Sequence, residues 1–149
     1  EDYHCLGQPI LAPADGVVQA ALNTIKDNAP GKTNDTIYSG NYVSLKIDEG
    51  EVFFAFFLKE GSVPVKVGDV VKRGDVIGAC GSSGAATLPH VQVHIQNSAQ
   101  YPMSEGLPLR FDYLRGASGQ ELVERGMPRG VSVVDDLSGE VVRPYLPTR

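Results

Sequence analysis

The chain has 149 residues, 42% hydrophobic and 21% charged, the composition of one folded domain with a sizeable core, which excludes a disordered chain. Thirteen basic against eighteen acidic residues leave a net charge of −5, and no basic stripe is present, so a nucleic-acid partner is not expected. No apolar run approaches the ~20 residues of a membrane-spanning helix.

With 17 glycines and 10 prolines, short strands and turns are predicted in preference to long helices. Residues 9–13 (PILAP) and the turn at Ala14-Asp15-Gly16 feed a short apolar strand over 17–22. Residues 26–36 are polar and turn-rich, and read as a surface loop. Residues 41–47 (NYVSLKI) alternate: Tyr42, Ser44 and Lys46 face one way, and Val43, Leu45 and Ile47 the other. Asp48-Glu49-Gly50 makes a hairpin turn into 51–58 (EVFFAFFL), a run predicted to be a strand buried on both faces. Residues 63–81 break into very short β-segments at Gly68-Asp69 and Arg73-Gly74-Asp75. There Val65, Val67, Val70, Val76 and Ile77 are expected in the core, and Lys66, Lys72 and Arg73 in solvent. After the Gly81-Ser82-Ser83-Gly84 loop, residues 90–96 (HVQVHIQ) alternate again. His90, Gln92, His94 and Gln96 share one face, and Val91, Val93 and Ile95 the core face. Residues 120–125 (QELVER) are long enough for about one and a half helical turns, and a hairpin is expected at Ser138-Gly139.

Two cysteines, Cys5 and Cys80, permit either one disulfide or two buried thiols. A bridge would close a long loop and stabilise by roughly 4 kcal/mol in the chain-entropy model.

The pattern V-x-V-G-D-x-V-x-x-G-D-x-I-G within 63–78 resembles the barrel-sandwich hybrid folds. These include lipoyl and biotinyl carriers, phosphotransferase phosphocarriers and the lysostaphin/LytM-type zinc endopeptidases. The flanks resemble the endopeptidases. Residues 9–18 (PILAPADGVV) are similar to their opening strand, Gly40-Asn41-Tyr42-Val43 to their G-N-x-V strand, and Gly81-Ser82-Ser83-Gly84 with Pro89-His90 to their G-x-S-G…P-H-x-H segment. The resemblance implies an all-β, duplicated hybrid motif fold, with a peptidase-like domain over 1–100 and a C-terminal extension over 101–149 packed on it.

It also implies where the chemistry should sit. In that family two His and one Asp hold zinc and leave a position for water and the scissile carbonyl. The ligands come from an H-x-x-x-D motif and from the second His of H-x-H. The first His of H-x-H and a His of a Y-x-H-L strand act on protons or stabilise charge. In this sequence Asp2 and His4 stand in the wrong order for H-x-x-x-D. Phe57 stands where the Y-x-H-L strand has His, and it can neither ligate nor donate. His90 is kept as a relic base, while Gln92 occupies the ligand position with a neutral oxygen, a poor exchange for imidazole at zinc. His94 lies some 13 Å along the strand from His90, too far to share one ion on a regular strand.

The resulting expectation is a catalytically degenerate peptidase-like domain that binds cell-wall peptide, glycan or a partner protein. Phe57, Gln92, His94 and Gln96 would form its groove, with no metal and no cofactor. The alternative is a zinc endopeptidase whose ligands come from an upstream segment or from unusual residues such as His4 and His94. A carrier or phosphocarrier is the third reading, but Lys46 and Lys59 lack a carrier signature and His90 lacks a facing His. The resemblance places the protein outside the cytoplasm, periplasmic or secreted, and a Cys5–Cys80 bridge would agree with that.

Overall fold

The computed structural model describes residues 3–115, 121–127, 134–135 and 143–145. Among these every regular element is a strand. The chain divides into two units, Glu1–Leu107 and Pro108–Arg149.

The first unit holds an antiparallel six-stranded sheet in the order β5 (Val70–Val71), β2 (Gly16–Leu22), β3 (Asn41–Asp48), β4 (Glu51–Leu58), β7 (Gln92–Gln96) and β8 (Gly106–Leu107). Strands β1 (Pro9–Leu11) and β6 (Val76–Ala79) form a separate two-stranded antiparallel ribbon. The β3–β4 hairpin closes at Gly50, whose φ of 69° suits the tight turn predicted there. Every residue from Val52 to Leu58 is buried, as expected of a central strand whose two faces are both covered. Val43, Leu45, Phe53, Ala55 and Ile95 form the core on one face. The register pairs Ser44 with Phe54 and His94, and Tyr42 with Phe56 and Gln92, on the opposite face.

Residues 63–81 depart from the expected pattern. Val67, Val70 and Val76 are exposed and Val65 is half-buried, and the buried apolar residues are Val63, Val71, Ile77 and Cys80. Lys66–Asp69 and Lys72–Asp75 are two copies of one turn, with Gly68 and Gly74 at φ near 90°. In each copy the aspartate carboxylate accepts the N–H of the lysine three residues earlier, at 3.0 and 2.7 Å. A turn of this type lifts its first central residue out to solvent and offsets the flanking valines, so simple alternation fails there. Lys72 is exposed, and its Nζ donates to Asp15 at 2.8 Å. That contact and the Arg73 N–H hold the Asp15 carboxyl below its ordinary range.

Long-range polar contacts lock the loop at 81–84 in place. Asn41 is fully buried. Its Oδ1 accepts from the Ile25 N–H at 2.8 Å, and its Nδ2 donates to the carbonyls of Ile25 (2.7 Å) and Leu58 (3.0 Å). Its own N–H donates to Ser83 Oγ at 2.9 Å, and that hydroxyl donates to Leu58 O at 2.7 Å. Gly84 lies so close to Gly40 that a Cβ on it would stand 2.6 Å from the Gly40 Cα. The predicted surface loop at 26–36 is anchored here too. Asp27 accepts the Ser82 N–H, and Asn28 Nδ2 donates to Gly84 O and Ala86 O.

In the second unit, β9 (Arg110–Arg115) pairs antiparallel with β10 (Glu121–Gly126), β11 (Val134–Asp135) and β12 (Arg143–Tyr145). The short helix expected at 120–125 is therefore a strand over its described part. Six residues without an amphipathic stripe cannot sustain a helix alone, and β9 offers them a ladder. The hairpin expected at Ser138-Gly139 lies outside the described residues.

Candidate active-site cleft

Strands β3, β4 and β7 present one face lined by rings. Along β4, Val52, Phe54 and Phe56 alternate onto it, and Ala86 joins them in one buried cluster. Phe57 should by alternation point to the other face, yet it lies in the same cluster. The cause is a bulge. The register shifts between Asn41 and Tyr42, which pair with Leu58 and Phe56, and the unpaired Phe57 has a φ of 64°. For an aromatic residue that conformation costs on the order of 1–3 kcal/mol, and bulges of this kind re-aim a side chain at a functional site. Phe57 is buried, so it leaves none of the exposed apolar surface that a groove-lining role implies. Its ring packs against His90 at 4.8 Å and Tyr38 at 6.4 Å.

His90 is exposed, and its Nδ1 lies 2.8 Å from Leu88 O. A carbonyl only accepts, so Nδ1 is the ring nitrogen that donates there, and Nε2 is not used in that contact. His94 sits two pleats along, stacked on Phe54 (5.1 Å), Phe56 (5.2 Å) and Tyr101 (5.8 Å). Its Nε2 lies 3.1 Å from Gln96 Oε1, while Gln96 Nε2 donates to Ser98 O. Gln96 is buried and fully engaged in this chain, so of the four expected groove residues it supports His94 and does not reach solvent. Gln92 is exposed on the same face, opposite Phe56.

These side chains do not suit zinc. Position 57 offers a phenyl ring and position 92 an amide. The His90 and His94 rings are held on different aromatic partners by different hydrogen bonds. Among the described residues no three His, Cys, Asp or Glu side chains converge as a metal site would require. His4 is exposed in the turn that precedes β1. Cys5 and Cys80 form a disulfide with Cα atoms 5.7 Å apart. Cys80 also bridges Leu58, and the next residue, Gly81, bridges His90, so the bond ties the N-terminal turn to the segments that carry Phe57 and His90.

Tyr38 and Tyr101 are members of the site that sequence reasoning did not single out. Both come from loops: the Tyr38 carbonyl takes the distant Ala85 N–H, while the loop of Tyr101 is held by hydrogen bonds within 97–105. One signal was available: Asp, Glu, Lys and Arg are absent throughout 36–45, 52–58 and 76–104, the stretches that carry the rings of this face, and Lys46 joins it only at the Val52 end.

Burial against the rings lowers the pKa of His94 below the ordinary 6.5, and the Gln96 contact only partly offsets this. Folding therefore favours the neutral imidazole. This contribution is complete above about pH 6.5 and is lost as the pH falls from there toward the folded value. Thermal melts between pH 7.5 and 5 are expected to show Tm falling with acidity. In His94→Phe that part of the slope should flatten; an unchanged slope would contradict the assignment.

Residues 2–103 match Peptidase family M23. The chain is 35% identical to the glycyl-glycine endopeptidase ALE-1 of Staphylococcus capitis over 66% of its own length and 25% of that protein's. It is 30% identical to the peptidoglycan DD-endopeptidase ShyA of Vibrio cholerae over 69% of its length and 23% of that protein's. It thus spans about a quarter of these relatives. The catalytic domain of lysostaphin from Staphylococcus simulans superposes with a TM-score of 0.50 at 26% identity, covering 68% of each chain. On the strength of a match across two-thirds of its residues, with the β architecture to go with it, the chain belongs to the M23 peptidase family.

Proposed function

We infer that this protein is a catalytically degenerate M23 domain that acts by binding cell-wall peptide or glycan, or a partner protein. The observation that carries the reading is Phe57. A bulge in β4 aims residue 57 onto the ring-lined face, at the cost of a strained φ. The side chain it aims is a phenyl ring packed on His90. Gln92, at the position where the family ligates metal, supports the same reading. His90 keeps its ring, but with a phenyl at 57 and an amide at 92 the described residues offer no donor set for the cation that would polarise the carbonyl or acidify water. A scaffold that keeps its cleft and loses its ligands is suited to recognition. The likeness to ShyA, a peptidoglycan DD-endopeptidase, supports peptidoglycan as the target. The disulfide supports an oxidising, extracytoplasmic location. No helix among the described residues is long and apolar enough to cross a membrane.

Metal analysis of the purified protein tests this. Zinc is expected well below one equivalent, and added zinc should leave Tm unchanged, since a ligand that does not bind the native state cannot stabilise it. Stoichiometric zinc, together with peptidoglycan cleavage that a chelator abolishes, would restore the zinc endopeptidase reading.

A further inference from the structure

The cleft is built from uncharged sequence inside a charged chain. The 31 acidic and basic residues all fall outside 36–45, 52–58 and 76–104. Lys46 stands at the Val52 end of this face and is paired with Glu49; along the rings from Phe54 to Phe57 an ionised ligand would lose water without meeting a countercharge. That disfavours stem peptides with free carboxylates and phosphate-bearing polymers, and it matches a neutral ligand.

The rings then distinguish between neutral ligands. Tyr38 and Tyr101 are 60% and 43% exposed, whereas Phe57 and Phe56, on which they rest, are only 4% and 3% exposed. Tyr38 packs on Phe57 at 6.4 Å, Phe57 on Phe56 at 6.4 Å, and Phe56 on Tyr101 at 5.2 Å. Two tyrosines are thus braced from beneath at the two ends of one line of rings. Gln92, exposed and paired in register with Phe56, and His90, packed on Phe57, stand beside the middle of that line. A braced tyrosine offers a rigid apolar surface and a hydroxyl at little cost in side-chain entropy. Pyranose rings complement this, with C–H groups on their faces and hydroxyl or acetamido groups at their edges for an amide to bind. An extended glycine-rich peptide is equally neutral but has no flat apolar face to set on the tyrosines.

We propose that the face between Tyr38 and Tyr101 binds an uncharged N-acetylated glycan. Sugar rings lie on the two tyrosines, and Gln92 hydrogen-bonds their edges. This deepens the binding reading above and rests on it. The test is a titration of the purified full chain with tetra-N-acetylchitotetraose, followed by tyrosine fluorescence, which is undiluted because the chain has no tryptophan. Saturable binding is expected, weakened about three- to tenfold by Tyr38→Ala and by Tyr101→Ala. Tyr38→Phe should keep most of the affinity. Both tyrosines are partly exposed, so the variants should fold, and their melts check this. Binding unaffected by either alanine variant would overturn the site. Binding to intact sacculi but not to the uncharged oligosaccharide would overturn the ligand while leaving the binding reading standing. Preference for pentaglycine would do the same. Failure of the underlying reading shows elsewhere, as stoichiometric zinc and chelator-sensitive hydrolysis.

Discussion

Asn41→Ala is expected to destabilise the protein by about 3–4 kcal/mol, read from urea denaturation at neutral pH. The side chain is fully buried and makes three hydrogen bonds, to the N–H and carbonyl of Ile25 and to the carbonyl of Leu58. Alanine removes all three and supplies nothing in return. Each buried or half-buried group left without a partner costs about 1–3 kcal/mol, and the small cavity adds to that. The Leu58 carbonyl keeps the Ser83 hydroxyl, which holds the total below three full penalties. Asn41→Asp should not rescue. It keeps the acceptor for Ile25 N–H but turns a carboxylate toward two carbonyls in a buried site. Ser83→Ala, which removes one hydroxyl from the same network, should cost less, about 1–2 kcal/mol. A loss under 1 kcal/mol for Asn41→Ala would mean that the network is not what fixes the end of β4. The site depends on that end, because Leu58 follows directly on the bulged Phe57.

The sequence motifs were legible where a period of two holds without interruption. Alternation in 41–47 and 90–96 places Tyr42, Ser44, Gln92 and His94 on one face, because successive side chains of a strand must oppose. The register bears this out. It fails at Phe57, since a single extra residue in one strand turns every expectation over and nothing in FFAFFL marks which residue will be extra. It fails again at Val67, Val70 and Val76, where two glycine turns set the direction of the chain instead of the pleat. It misses Tyr38 and Tyr101 because their places follow from loop returns. The Tyr38 carbonyl, for example, takes the N–H of Ala85, far along the chain. The G-N-x-V and G-x-S-G motifs acquire a physical meaning only in three dimensions. Gly40 and Gly84 are the point at which two backbones nearly touch, and Asn41 and Ser83 are the polar clasp beside it.

Removing the Cys5–Cys80 bond should cost about 4 kcal/mol, by a different route from Asn41. The bond closes a loop of 75 residues, and in the chain-entropy model a loop of that length gives about 4 kcal/mol, most of it by restricting the unfolded chain. The native contacts around it do not depend on sulfur. Gly7 N–H still donates to Cys80 O, and Cys80 N–H to Gln8 O, both at 2.8 Å. The folded structure of the reduced protein should therefore be nearly unchanged while its stability falls. Guanidinium denaturation of the oxidised protein, the reduced protein and the Cys5→Ala/Cys80→Ala variant distinguishes the two origins. If the effect lies in the unfolded state, the m-value should rise on reduction, because the freed chain exposes more surface. The double variant should track the reduced protein, apart from a small further loss for the missing sulfur of Cys80, which is fully buried. A fall of less than 1 kcal/mol with a constant m-value would show that the N-terminal turn is held by its backbone pairing alone. With the expected fall, an oxidising compartment becomes a condition of stability for this fold.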